Sequence, residues 1–233
     1  MESFSTTAAE AIRLLVSGDP HLWAIIAVSF STTVKAILIA TPPAFLLGFV
    51  LTMARFPGRW SLISFFNTLL SVPTVVTGLV LYICLSRSGP LGSLQLLFTQ
   101  SAMVIGQMLL AFPVLVAMSF SAFKAADRSA WETARTLGAS PGQALLTLMY
   151  EVRYGLAAAG IAAYGRIIAE VGCSMMVGGN ILHHTRNIPT AIALETSKGE
   201  FAQGIALGLV LLLLALTLNF GVTYLHRHSE LTP

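Results

Sequence analysis

Lys124 to Arg153 reads KAADRSAWETARTLGASPGQALLTLMYEVR, a polar interruption with hydrophobic segments long enough to cross a bilayer on both sides. The local pattern is helix, turn, helix. Ala130 to Leu137 is helix-forming, and Gly138 supplies the stop. Ser140 suits the N-cap of the next helix and Pro141 its first position. Small residues at Ala134 and Ala139 permit close backbone approach, and Gly138 permits a tight turn. A short helical hairpin on a membrane face is a docking surface. Its shape alone names no partner, and an ordinary loop of two helices would read the same way.

Composition puts this hairpin in a membrane protein. The chain has 233 residues, 55% hydrophobic and 10% charged, where a soluble domain carries about 25% charged residues. Mean hydropathy is +0.80. The net charge of +3 is accounted for by Lys and Arg near membrane surfaces, without nucleic acid. Cys84 and Cys173 lie in apolar stretches and read as small core residues, with no disulfide or metal site inferred. No secretory signal is evident, because Glu2 and Glu10 interrupt any basic leader.

Outward from the hairpin, hydropathy and length give about five spans. Residues 1–20 form an N-terminal interfacial segment, with Phe4, Ala8, Ile12 and Leu15 on roughly one helical face. The first span, about Leu22 to Ala54, runs roughly 50 Å, so it must tilt, project or kink, and Pro42-Pro43 supplies a kink. A basic turn, Arg55 to Arg59, comes next. The second span, about Trp60 to Leu85, carries Asn67, Ser71, Pro73, Thr74 and Thr77. Such residues suit either a pore-lining helix or a plain helix–helix contact. The third span is about Ser101 to Phe123. Beyond the 124–153 loop comes a fourth, Tyr154 to Val177, rich in Gly and Ala, and a fifth, Phe201 to Leu225. The transmembrane region is thus 21–226, followed by a short tail, 227–233. With the loop inside, Arg55, Arg59, Lys124, Arg128, Arg135, Arg153 and Arg227 are cytoplasmic, against Arg13, Arg87, Arg186 and Lys198 outside. That asymmetry predicts an N-terminus out and a C-terminus in.

Three features carry candidate chemistry. Lys35 sits deep in the first span, where a charge either serves function or pairs with a carboxylate. Arg166 and Glu170, four apart, are predicted to share a helix face. They read either as an internal ion pair or as a source of positive potential for an anion. Gly178-Gly179-Asn180 is either a helix C-cap or a nest of backbone amides for an anion. His183-His184 has no third ligand in view, so no metal site is assigned.

The loop resembles the cytoplasmic "EAA" loop of ABC importer permeases. Glu132, Ala134 and Gly138 fall in place, Thr133 stands for the first Ala, and Tyr150-Glu151 replaces the family's terminal Leu-Pro. Three further runs are similar to the oxyanion branch of these permeases, which handles sulfate, molybdate and tungstate. They are Arg166 to Gly172 (RIIAEVG), Met175 to Ile181 (MMVGGNI) and Thr190 to Gly199 (TAIALETSKG). The combination looks most like the tungstate importers.

The resemblance implies an all-α, MetI-like permease core of about five helices with a cytoplasmic coupling hairpin. It implies a homodimer in the cytoplasmic membrane of a bacterium or archaeon, a cytoplasmic ABC ATPase dimer and an extracytoplasmic oxyanion-binding protein. Glu132, Ala134, Leu137, Gly138 and Ala139 would couple to the ATPase. Lys35, Ser71, Thr74, Arg166, Glu170, Gly178, Gly179 and Asn180 would line the pathway. No cofactor is expected on this chain. It contains no G-x-x-x-x-G-K-[ST] phosphate loop, so ATP and Mg would belong to the partner ATPase. The rival readings are an ion- or proton-coupled transporter using Arg166 and Glu170, and a membrane enzyme. The first expects internal repeats and the second a nucleophile–base constellation, and neither is found.

Overall fold

The computed structural model describes Glu10, 12–126 and 128–231, with backbone alone for 128–129 and 226–231. Phe4 and Ala8 of the expected N-terminal face, and Thr232-Pro233 of the tail, lie outside the described residues. Residues 12–16 are helical. The described residues form helices without a strand: α1 Pro20–Met53, α2 Arg59–Leu69, α3 Thr74–Leu85, a 3-10 turn Gly92–Leu94, α4 Gln100–Ala125, α5 Arg128–Thr136, α6 Pro141–Glu151, α7 Arg153–Ile168, α8 Gly172–Gly178, α9 Ile188–Lys198 and α10 Phe201–Leu231.

Pro20–Met53, Gln100–Ala125 and Phe201–Leu225 are long and apolar enough to cross a membrane. Two bent pairs, α2 with α3 and α7 with α8, raise the number to as many as five. α1 opens at Asp19, whose Oδ1 accepts the Leu22 N–H at 2.8 Å, and runs unbroken through Pro42 and Pro43.

The second expected span is two helices. The Leu70 and Ser71 amides close α2 on Asn67 and Thr68 carbonyls, and α3 restarts after Pro73, which stands at its N-cap. Proline has no N–H to continue a helix and biases Val72 away from helical backbone. The fourth expected span also breaks, bending through 61° between α7 and α8. The helix ends at Ile168, so Glu170 lies in the break and the helix face predicted for it and Arg166 does not form. Its Oε1 instead accepts the Cys173 N–H at 3.1 Å, satisfying a free amide at the start of α8.

The contacts divide the chain into two compact units. One comprises residues up to Ala36, Val72–Leu110 and Tyr164–Thr217; the other comprises Ile37–Ser71, Ala111–Ala163 and residues from Leu218. In the first, α3 and α8 pack backbone to backbone. A Cβ at Gly78 would stand 2.7 Å from the Cys173 Cα, and one at Gly106 2.6 Å from the Cys173 Sγ. Leu81, Leu85, Ala102, Met103 and Val177 fill the core beside this contact. A second cluster joins Leu22, Ile25 and Ile26 of α1 to Ile188, Ala191, Ala206 and Leu207. In the other unit, Phe123, Leu148 and Leu156 pack with Phe45, Phe49 and Met53. α10 leaves Leu212, Leu213, Leu216 and Phe220 exposed, as suits a helix solvated by hydrocarbon.

The close approach of α3 and α8 predicts an asymmetric rescue. Gly106→Ala should cost about 1–3 kcal/mol through overpacking, and Cys173→Ala should recover most of that loss. Gly78→Ala meets backbone at Cys173, so Cys173→Ala should leave its loss in place. Thermal unfolding of the purified full-length variants, each referred to Cys173→Ala alone, checks both. Equal rescue of the two glycine variants would contradict this packing.

Candidate functional site: a helical hairpin and a clamped loop

The hairpin lies within the second unit. α5 ends at Thr136, and Gly138 comes soon after at φ 90°, a left-handed backbone that favours glycine. The Arg135 Nη1 donates to the Ala139 carbonyl at 2.6 Å and ties the turn together. Ser140 then caps α6. Its Oγ accepts the Gln143 N–H at 3.3 Å, while the Gln143 Oε1 accepts the Ser140 N–H at 2.8 Å. With Pro141 in the first turn, this reciprocal box starts α6 without help from elsewhere.

The two faces of the hairpin differ. Ala144 and Leu148 of α6 are fully buried, Leu148 among Phe123 and Leu156. Trp131 of α5 packs at a tilt against Phe49 with centroids 5.3 Å apart, and Phe49 meets Phe123 edge-on at 5.8 Å. The outward face presents Leu137, 83% exposed, with Leu146 and Tyr150. Glu132 is exposed and lines a cavity of about 460 Å³ with Phe49, Val50, Met53, Ala54 and Trp131. Ala134 and Ala139 are half-buried.

The other expected site residues are spread through the chain. Lys35 and Arg166 are exposed, and Ser71 is exposed at the end of α2. Thr74 begins α3. Lys35 and Glu170, both described, do not pair with each other. Gly178 lies under Met103. Gly179 caps α8 at φ 68° and would strike the Phe98 ring if it carried a Cβ. Asn180 continues the turn at φ 51°.

The loop after α8 holds groups the sequence reading missed. Thr185 Oγ1 accepts the Ile181 N–H at 3.0 Å and donates to the Gly178 carbonyl. Asn187 and Thr190 form a second capping box at the start of α9, and the Ile188 N–H donates to Ser29 Oγ of α1 at 2.6 Å. Glu195, 4% exposed, accepts from the Lys198 Nζ at 3.1 Å and stands 3.9 Å from the Arg186 Nη1. These groups border a cavity of about 270 Å³ together with Asp19, His21 and Gln203. The Asn187-x-x-Thr190 spacing and the Glu195–Lys198 spacing were both visible signals. Arg186, across a helix boundary, was not.

Solved structures share this helix order. A chain of the MetNI methionine ABC transporter in an inward-facing conformation superposes with a TM-score of 0.63 over 98% of this chain and 99% of that one, at 17% identity. A chain of an amino acid ABC transporter gives 0.66 over 92% and 96%, at 15% identity. The fold is therefore that of an ABC transporter permease, all-helical and MetI-like.

Sequence relatives narrow the class. The tungstate uptake system permease protein TupB of Peptoclostridium acidaminophilum is 38% identical over 219 residues, covering 94% of this chain and 96% of that protein. TupB of Campylobacter jejuni is 49% identical over 154 residues, 66% of this chain and 64% of that protein. A probable anion ABC transporter permease of Haloferax volcanii is 39% identical over 85% of this chain and 88% of its own length. No family model matches the sequence. The chain belongs to the ABC transporter permease family that includes these tungstate permeases, and is an integral membrane protein.

Two substitutions test the geometry. Ser140→Ala should cost about 1 kcal/mol by removing the cap of α6, read as faster amide exchange over 141–146. Glu195→Ala removes the buried partner of half-buried Arg186 and of Lys198, whose side chain is 48% exposed and so partly screened by solvent, and should cost about 1–2 kcal/mol. A Glu195→Ala melting temperature equal to that of the unmutated protein would refute the clamp.

Proposed function

We propose that this chain is the membrane subunit of an importer for a tetrahedral oxyanion, with tungstate first and molybdate or sulfate next. The named activities of its relatives support the substrate class. ATP and Mg would be bound by a separate cytoplasmic ATPase dimer, and a second copy of this chain would complete the transmembrane unit. An extracytoplasmic binding protein would deliver the anion and supply most of the selectivity. The chain would lie in the cytoplasmic membrane of a bacterium or archaeon, N-terminus out and C-terminus in.

The observation that carries the reading is the two-faced hairpin. Its exposed Leu137, Leu146 and Tyr150 offer a partner an apolar ridge, and Glu132, Ala134, Gly138 and Ala139 complete the contact. Its inner face is fixed to α1 through Trp131 and Phe49, and to α4 through Leu148 and Phe123. Closure of the ATPase would push a locally capped, stiff element. That push would reach α1 and α4 through close-packed side chains, which transmit displacement rather than absorb it. The spans would then exchange inward-open and outward-open states. Lys35, Ser71, Thr74, Arg166, Glu170 and Gly178 to Asn180 remain the proposed pathway residues. A mildly electropositive path suffices, since a tightly held anion could not leave.

Gly138→Pro removes the amide that donates to the Arg135 carbonyl and forbids positive φ. Transport of oxyanion by cells carrying it, with its ATPase and binding protein, should fall by at least about tenfold, the equivalent of 1.4 kcal/mol. Membrane insertion should be unchanged. Normal uptake by this variant would remove the hairpin from the mechanism. Uptake that persists without any ATPase would instead favour the ion-coupled alternative.

A further inference from the structure

The turn Arg55-Phe56-Pro57-Gly58-Arg59 joins α1 to α2, and the proposed transport cycle makes no use of it. It comes after a helix long and apolar enough to cross a membrane, and Lys124 occupies the last turn of another, α4. The two ends are brought together by Arg59. Its guanidinium carbon lies 5.4 Å from the Trp60 ring centroid and 5.9 Å from that of Phe120. Its Nε donates to the Leu51 carbonyl, which fixes the guanidinium plane. Phe120 and Lys124 are four apart on α4, so they share a face.

Arg55 and Lys124 are exposed, as are Phe56 at 39% and Trp60 at 66%. Among the described residues no carboxylate pairs with Arg55, Arg59 or Lys124. Among the described residues, the carboxylate lining the cavity at this end of α1 is Glu132, beside Met53 and Ala54. Exposed tryptophan at the end of a membrane helix favours the headgroup layer. Lys and Arg at that depth attract anionic lipid, and a guanidinium with its terminal nitrogens available binds phosphate through two parallel hydrogen bonds.

We propose that Arg55, Arg59 and Lys124, flanked by Phe56 and Trp60, hold the phosphate headgroup of an anionic glycerophospholipid. Arg59 is the fixed anchor. Arg55 and Lys124 supply further charge, and the two aromatic rings lie against the glycerol and upper acyl carbons.

The test uses the full-length permease in neutral detergent, with Trp fluorescence quenched by brominated phosphatidylglycerol or brominated phosphatidylcholine. Phosphatidylglycerol should quench at a concentration about tenfold lower than phosphatidylcholine, and Trp60→Phe should remove that difference between the lipids, leaving the equal quenching of exposed Trp23. Arg55→Gln with Lys124→Gln changes two exposed side chains and should raise the half-quenching concentration of phosphatidylglycerol roughly 25-fold, about fivefold per cation. Inorganic phosphate should not displace the lipid. Displacement by inorganic phosphate would mark a site for a free anion and overturn the proposal. Equal quenching by the two lipids, or a double variant that matches the unmutated protein, would also overturn it. So would a Trp60 that neither lipid quenches, since a second copy or another subunit then covers the face.

Discussion

In hydrocarbon every backbone N–H and C=O must find a partner within the protein, because no water is there to take it. An unbroken helix meets this demand by itself. This chain breaks its second and fourth apolar stretches, and each interruption is closed by a nearby group. The Glu170 carboxylate takes the Cys173 amide, and α2 closes on its own carbonyls before Pro73. Past α8, the Ile181 carbonyl accepts the amides of His184, Thr185 and Arg186, while Thr185 Oγ1 bridges Ile181 and Gly178. The short helix α8 thus has a side-chain partner at each end, the Glu170 carboxylate at its start and the Thr185 hydroxyl at its close.

Satisfied ends permit close packing, and close packing then restricts composition. Gly78 and Gly106 leave no room for a methyl group beside Cys173. Small residues in membrane helices serve this approach, since apolar burial gives helices little reason to prefer one another over lipid. The hairpin solves a different problem. It is exposed on one side, and its local order comes from Gly138, the Ser140–Gln143 box and Pro141. Its position comes from Leu148 and Trp131 within an aromatic core. An element ordered locally and attached by packing moves as one piece.

Much of this was legible in the chain itself. Helix stops and caps depend on neighbours within four residues, so Gly138, Ser140, Pro141 and Gly179 were readable from sequence. Span number came from hydropathy. Pro73 marks the break in the second span, but nothing as plain marks the one in the fourth, which reads as a continuous helix. Arg166 and Glu170 have helical spacing, but the helix stops at Ile168 and the Glu170 carboxylate instead accepts one first-turn amide of α8, that of Cys173. The Gly78–Cys173 and Gly106–Cys173 contacts bring together residues far apart in sequence, and a glycine in an apolar run carries no sign of its partner. Glu195 was passed over for a similar reason. Its spacing to Lys198 is local, but its burial depends on α9 docking against α1 through Ser29 and Ile188.

That buried carboxylate bears on how an anion could pass such a protein. A loop carrying Arg186 and Lys198 unopposed would hold a dianion strongly, and strong holding is incompatible with release. Glu195 sits between the two cations, so that pair of charges is offset by one. The same carboxylate keeps the two cations at fixed positions, because each is drawn to a group that cannot move away into solvent. Attraction is thereby reduced while geometry is retained. For a subunit proposed to pass on an anion that another protein has already selected, weak and well-placed charge serves better than affinity.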